Sequence, residues 1–299
     1  MKGRTMNRKI IMTPVAYFSM LITALAVLVL VMPLRAMADP ILYVTNFNIS
    51  TVSAISQDGT VSTFASGLNN PEGLAIDGSH NLYAANWGND TISKIAPDGT
   101  VSTFVPSIDN PHQMVFDSNG NLFVGTDQNG GTISEITPNG SVSTFVTGLV
   151  YPQYLAIDSS NNLYFSNASQ TTIGEITPGA SVSTFASGLP VHSGMTFGGP
   201  NDNDLFVACD NGSIIEIAPG DNVSTFATGM SNLSGIAFGV DGDLYATGGS
   251  IIYQITPNGT VGTFASGING GISIIAVPEP TSVSLLLIAS AGMMIRRRQ

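Results

Sequence analysis

Cysteine is almost absent from this 299-residue chain, and the one present, Cys209, leaves no partner for an intramolecular disulfide. Stability must come from packing and hydrogen bonding, and a lone thiol of this kind reads as a small apolar residue at the end of a strand. Basic side chains are nearly as scarce. Of the nine, Lys2, Arg4, Arg8, Lys9 and Arg35 lie near the N-terminus and Arg296, Arg297 and Arg298 at the C-terminus. Between Asp39 and Pro280 one base, Lys94, stands against all 20 acids, a net of −19. A body so charged cannot neutralise phosphates, which argues against nucleic acid, anionic lipid headgroups and phosphorylated ligands as partners. Cations, neutral sugars and proteins are left. The three histidines, His80, His112 and His192, are scattered, and no H-x-x-E-H or similar metal spacing occurs.

What the chain has in abundance is repetition. Six near-copies of V-[SG]-T-F begin at Val61, Val101, Val142, Val182, Val223 and Val261, at steps of 40, 41, 40, 41 and 38 residues. Short apolar runs separated by Gly, Asn, Asp and Pro turns, with no helical periodicity, predict an all-β protein, a β-propeller with one repeat per blade. The second copy gives the four-strand unit: Gly73–Asp77, Asn81–Asn86, Thr91–Ile95 and Val101–Phe104. Turns opening on proline, such as Pro97-Asp98-Gly99, join the last two strands. The first copy opens at Ile41 on its second strand, and an unused strand, Gly271 to Val277, follows the sixth phrase. Six blades are therefore expected, the C-terminal strand completing the first blade as its innermost strand and removing exposed edges.

The two ends read as addresses. Residues 1–38 have a basic start, an apolar stretch from Ile10 to Leu34 and Ala36-Met37-Ala38 as a cleavage site, the pattern of a secretory signal peptide. The propeller then occupies 39–277. The last segment, 278–299, runs Pro278-Glu279-Pro280, an uncharged stretch from Thr281 to Ile295, then Arg296-Arg297-Arg298. Fifteen helical residues reach about 22 Å, short of a hydrocarbon core of roughly 30 Å, which suits transient membrane anchoring. Basic clusters at both ends place the acidic body outside the cytoplasm.

This tail resembles the PEP-CTERM sorting signal of Gram-negative bacteria. The resemblance implies recognition by an exosortase-type membrane enzyme and a place in the periplasm, at the outer surface or in the extracellular polysaccharide matrix. The repeats resemble NHL-type and Tyr-Val-Thr-Asn propeller repeats, through Pro71 to Asp77 followed by Asn81 to Asn86, and through Tyr43-Val44-Thr45-Asn46.

In such a propeller, loops entering each innermost strand and leaving each second strand share one face around the mouth of the central channel, where function collects. The first position carries Glu72, His112, Gln153, Ser193 beside His192, Ser234 and Gly270; the second carries Asn46, Asn86 with Trp87, Thr126 with Asp127, Asn167, Cys209 with Asp210, and Gly248. The ligand-binding candidates are thus Glu72, Asn86, Trp87, His112, Asp127, Gln153, Asn167, His192 and Asp210. Trp87, Tyr154 and the amides suit stacking on and hydrogen bonding to a neutral polysaccharide or a protein. The expected role is non-catalytic binding or structural work, with no catalytic residue and no cofactor required. The alternative is a metal-dependent hydrolase or lyase. Gluconolactonase-type propellers hold a divalent cation with Glu, Asn and Asp, which Glu72, Asn167 and Asp210 imitate; virginiamycin-lyase-like propellers use a His with a metal, for which His112 or His192 would serve.

Overall fold

The computed structural model describes residues 41–277, apart from 128–129, 168–170, 191, 200–202 and 221 and the side chains of Asn167 and His192. The expected signal peptide and signal helix (1–38) and the sorting tail with its short apolar helix (278–299) lie outside the described residues. Among the described residues no helix is long and apolar enough to cross a membrane.

The described chain forms six antiparallel sheets, one per repeat: a six-bladed β-propeller. Blade 2 shows the unit, with Pro71–Ile76 innermost, then Leu82–Asn86, Thr91–Ile95 and Val101–Val105 at the outside. The innermost strands of blades 3 to 6 are Pro111–Phe116, Pro152–Ile157, His192–Gly198 and Leu233–Phe238. Blade 6 departs from the unit in appearance: Leu244–Ile255 is one continuous run whose first half pairs with the inner strand and whose second half pairs with Val261–Gly271.

Blade 1 is completed by the C-terminal strand, as the repeat count requires. Ile274–Ala276 pairs antiparallel with Leu42–Asn46, Val44 opposite Ile274 and Leu42 opposite Ala276. This strand is shorter than the expected Gly271 to Val277, because Gly271 still belongs to the outer run of blade 6, opposite Gly249. Ser273 extends the seam. Its carbonyl accepts from Thr45 N–H at 3.1 Å, its own N–H donates to Thr45 Oγ1 at 3.0 Å, and its hydroxyl accepts from Leu74 N–H of blade 2 at 3.2 Å.

The repeated phrase explains the core. The phenylalanine of each V-[SG]-T-F packs on the aromatic residue in the second strand of its own blade: Tyr43–Phe64, Tyr83–Phe104, Phe123–Phe145, Tyr164–Phe185, Phe206–Phe226 and Tyr245–Phe264. Ring centroids are 4.6 to 5.0 Å apart, mostly edge to face, the favoured aromatic geometry. The Ser and Thr between Val and Phe are both exposed, as the outermost strand of the blade allows. Turns on the face away from the mouth are held by aspartate: Asp77, Asp117 and Asp158 each accept from the backbone N–H two and four residues on. Glycine is required in the Pro-Asp-Gly turn, where Gly99 has φ 84° and a Cβ would lie 2.6 Å from the Phe64 carbonyl oxygen of blade 1.

Ser273 is buried and holds two blades. Ser273→Ala is expected to leave the Leu74 N–H without its acceptor and to cost about 1–3 kcal/mol, read as a lower denaturation midpoint at unchanged slope. An unchanged midpoint would remove Ser273 from the closure.

Candidate functional site

Glu72 and His112 occupy the same position, second in the innermost strand, of adjacent blades. Blades 2 and 3 approach closely here because Gly73 lacks a side chain; a Cβ would collide with the His112 carbonyl oxygen. His112 is 3% exposed. Its Nδ1 lies 2.6 Å from Glu72 Oε2 and its Nε2 lies 2.9 Å from Asp127 Oδ1. Asp127 follows the second strand of blade 3, Leu122–Thr126, whose last residue pairs with Pro111, the residue before His112.

Ionised carboxylates only accept hydrogen bonds, so the two contacts together require protons on both ring nitrogens. Two carboxylates, one on each ring nitrogen, favour the doubly protonated ring of His112. Burial opposes that charge, but the hydrogen bond and charge of Glu72, followed by those of Asp127, outweigh it and raise the His112 pKa above the ordinary imidazole value.

Glu72 also lines a cavity of about 280 Å³ at the channel mouth, with Gln113, Gln153, Tyr154, Ser234 and Ile272. Tyr154 crosses the channel from blade 4 to blade 6, where its hydroxyl lies 3.2 Å from Ser234 Oγ. Burial raises its phenol pKa, Ser234 opposes, and the charges of Glu72 and Asp210 add to the rise, so the group keeps its proton at neutral pH. Below it the ring contracts: Cβ atoms at Gly194 and Gly235 would strike the carbonyls of Ser234 and Ile272. The remaining gap is about 10 Å³, room for at most one water. A separate cavity of about 280 Å³, walled by Leu74, Met114, Leu155, Met195, Ile236 and Ile274, opens below. The mouth is therefore a closed cup.

Four of the nine sequence candidates gather here: Glu72, His112, Asp127 and Gln153. Asn86 does not reach the cup. Its buried amide donates to Thr91 Oγ1 at 3.1 Å and Ser93 Oγ at 2.9 Å and accepts from Asn69 N–H at 3.2 Å, fastening a turn. Trp87 sits in a short 3-10 turn against Phe47, away from the cavity. Asp210 is exposed after the second strand of blade 5. The side chains of Asn167 and His192 lie outside the described residues. The sixth rim position is Ile272, and not Gly270, because blade 6 keeps the chain to Gly271 and the closing strand starts later. Gln113 escaped notice in the sequence; its position after His112, one residue deeper in the channel, was the available signal. Cys209 is buried and its thiol is pushed up to about 11, chiefly by burial, so it is not a nucleophile.

Among the described residues no three His, Cys, Asp or Glu side chains converge on a metal-sized point, and both nitrogens of His112 are taken by carboxylates. As arranged, this site does not fit a cation. A larger cavity of about 670 Å³, between Phe197, Phe206, Phe226, Phe238 and Glu216 on the opposite face, holds a single carboxylate and no set of converging polar groups.

The class defined by the fold is the six-bladed propeller with a polar, closed mouth. Residues 40–128, less than half of the chain, match the model of the SMP-30/gluconolactonase/LRE-like region. No curated protein matches the chain in sequence. Among solved structures, virginiamycin B lyase from Staphylococcus aureus is similar at 20% identity and TM-score 0.59, over 79% of this chain and 87% of that one. A gluconolactonase from Xanthomonas campestris is similar at 16% identity and TM-score 0.61, over 71% and 84%. A Bacteroides caccae protein of unknown function gives 15% identity and TM-score 0.64, over 81% and 100%. Likenesses at these identities establish a shared fold.

The raised pKa of His112 has a defined sign. Its contribution to stability is fully present below the ordinary imidazole value and is lost as pH rises through the higher folded-state value. NMR titration is expected to place the His112 imidazole above 6.5 and to lower it in Glu72→Gln; a wild-type value at or below the ordinary one would refute the double carboxylate contact.

Proposed function

We propose that the mouth cup is the active site of a hydrolase or lyase that opens small cyclic esters. The observation that carries this reading is the chain Glu72–His112–Asp127 ending on a closed cavity, on a propeller fold shared with a gluconolactonase and a virginiamycin B lyase. A simple binding surface has no use for a buried histidine clamped between two acids, since burying ionisable groups is costly.

Each residue has a defined task. Glu72 is the member of the chain that lines the cavity, so its carboxylate meets the ligand. It accepts the proton of an attacking water, or of a carbon beside the ester in an elimination, as general base. The same proton then passes to the departing ring oxygen, which balances either ring opening. His112 holds the Glu72 carboxylate in place and aimed, and Asp127 holds His112. Tyr154, still protonated, donates to the oxygen on which charge develops, with Ser234 as its resting partner. Gln113 and Gln153 orient the ring. Among the described residues no Arg or Lys stands at the mouth, and Lys94 lies near Asp77 on the opposite face.

The cellular setting is part of the proposal. Residues 1–38 serve as an export signal, 39–277 as the propeller, and 278–299, with Pro278-Glu279-Pro280 and Arg296 to Arg298, as a sorting tail handled by an exosortase-type enzyme. The cup would then act outside the cytoplasm of a Gram-negative cell.

The test is ring opening of a panel of aldonolactones, alkyl lactones and cyclic depsipeptides, with and without Mg²⁺ and Ca²⁺. Glu72→Gln is expected to lower kcat/KM by about 10²–10⁴ in a variant that stays folded, with a melting temperature reduced by the loss of the His112 contact. Tyr154→Phe should lower kcat more than it raises KM. Turnover of no substrate in either condition would return the cup to a binding role. Turnover only with a divalent cation would make Glu72 a ligand instead of a base.

A further inference from the structure

Outside the cup, the mouth face carries a second feature that the proposed chemistry does not use. The residue after the second strand is Phe47 in blade 1 and Trp87 in blade 2, whereas the other four repeats place Asp127, Ala168, Asp210 and Gly249 there. Both aromatic residues open a 3-10 turn, Phe47–Ile49 and Trp87–Asn89, and each turn ends on a left-handed residue, Ser50 at φ 56° and Asp90 at φ 58°. Their rings lie 6.0 Å apart. Trp87 is 39% exposed and Ile49 is 53% exposed. Trp87 is also the only tryptophan in the sequence.

The turns that carry the exposed Trp87 and the half-buried Phe47 are held together by hydrogen bonds through backbone groups. The loop Asn69-Asn70 crosses beneath them so closely that a Cβ on Gly88 would collide with Asn69 Oδ1 and lie 2.6 Å from Asn70 Oδ1. Gly88 N–H donates to the Asn69 carbonyl at 3.1 Å, Asn70 Nδ2 donates to the Phe47 carbonyl at 3.1 Å, and Asn70 N–H donates to Ser50 Oγ at 3.2 Å. The two turns are thus tied into one unit across the seam between blades 1 and 2. Ordering has already been met in the folded protein, so a ligand would lose little loop entropy here.

The surroundings state the ligand's chemistry. The exposed neighbours are amides, Asn48, Asn69 and Asn89, with Asn48 Nδ2 bonded to Asn269 Oδ1 at 3.1 Å. The nearest acid, Asp90, already accepts from Asn110 N–H at 3.0 Å. Among the described residues no Lys or Arg stands on this face. An uncharged platform of aromatic rings edged by amides matches the apolar face and the hydroxyls of a neutral sugar. An anionic polymer would meet a body with one base and 20 acids.

We propose that the Phe47–Trp87 platform is a binding site for a neutral glycan, distinct from the mouth cup and independent of its chemistry. Neither ring lines the cup, so the two sites are separable by mutation.

Because Trp87 is the only tryptophan, the emission of the full-length protein reports this platform alone. The experiment titrates it with neutral hexasaccharides of β-1,4-glucan, β-1,3-glucan, α-1,4-glucan and β-1,4-mannan, with an alginate hexamer and a Lys-rich peptide as charged controls. The expected result is a saturable emission shift with at least one neutral glycan, persisting in 0.5 M NaCl. By calorimetry, Trp87→Ala should abolish that binding and Phe47→Ala should weaken it at least tenfold, both with unchanged melting temperature, while Glu72→Gln leaves it intact. Silence with all four glycans would overturn the proposal. So would a shift seen only with a charged control and lost in salt, or glycan binding that survives Trp87→Ala.

Discussion

Everything in this molecule depends on the pairing of Ile274–Ala276 with Leu42–Val44, which joins residues 230 to 234 positions apart in the chain. A blade alone buries one face poorly; a ring of blades buries all of them. Closing so long a loop is entropically unfavourable but grows only slowly with length, and the return is the loss of both open sheet edges at once. The closure also reaches the mouth. Ser273 N–H donates to Thr45 Oγ1, and that hydroxyl donates to the Glu72 carbonyl at 3.2 Å. The closing strand therefore helps fix the backbone that presents the Glu72 carboxylate.

Repetition supplies the scaffold, and departure from repetition supplies the site. The rank that holds Glu72 and His112 in blades 2 and 3 holds Gln153, Ser193, Ser234 and Ile272 elsewhere. Only where the two ionisable residues fall on neighbouring blades can they touch. One rank deeper, three glycines and a serine draw the strands together, and the two larger residues, Gln113 and Tyr154, occupy what is left. At the second position, aspartate in blade 3 completes the chain of charge, while aromatic residues in blades 1 and 2 turn outward. One structural rule thus produces a charged cup and an uncharged platform on the same face.

Much of this was legible in the residues. The V-[SG]-T-F spacing counts the blades, and the surplus strand after the sixth phrase announces the closure. The contact of Glu72 with His112 was legible in principle, since their separation of 40 residues is one repeat step; the same holds for Asp127, one strand further on in the blade of His112. What could not be read was direction. Asn86 and Trp87 are adjacent in sequence, yet one turns into the blade to fasten its own turn and the other out to solvent. The sixth rim residue was misplaced by two positions because the register of blade 6 shifts after Gly249, and Gly249 pairs with Gly271 at the end of the outer run. Such local irregularity leaves no trace in a repeat alignment.

The two ends of the ring, Ile41 and Val277, are hydrogen-bonded neighbours at 2.9 Å, on the face opposite the cup and the platform. Any load carried by the flanking segments enters the propeller at one point, through the sheet of blade 1. Tension shared by both ends in one direction leaves the ring unstressed. Tension that separates them peels the closing strand from its neighbour one hydrogen bond at a time, the mechanically weak mode of a β-sheet, and opens the ring like a clasp while five blades stay whole.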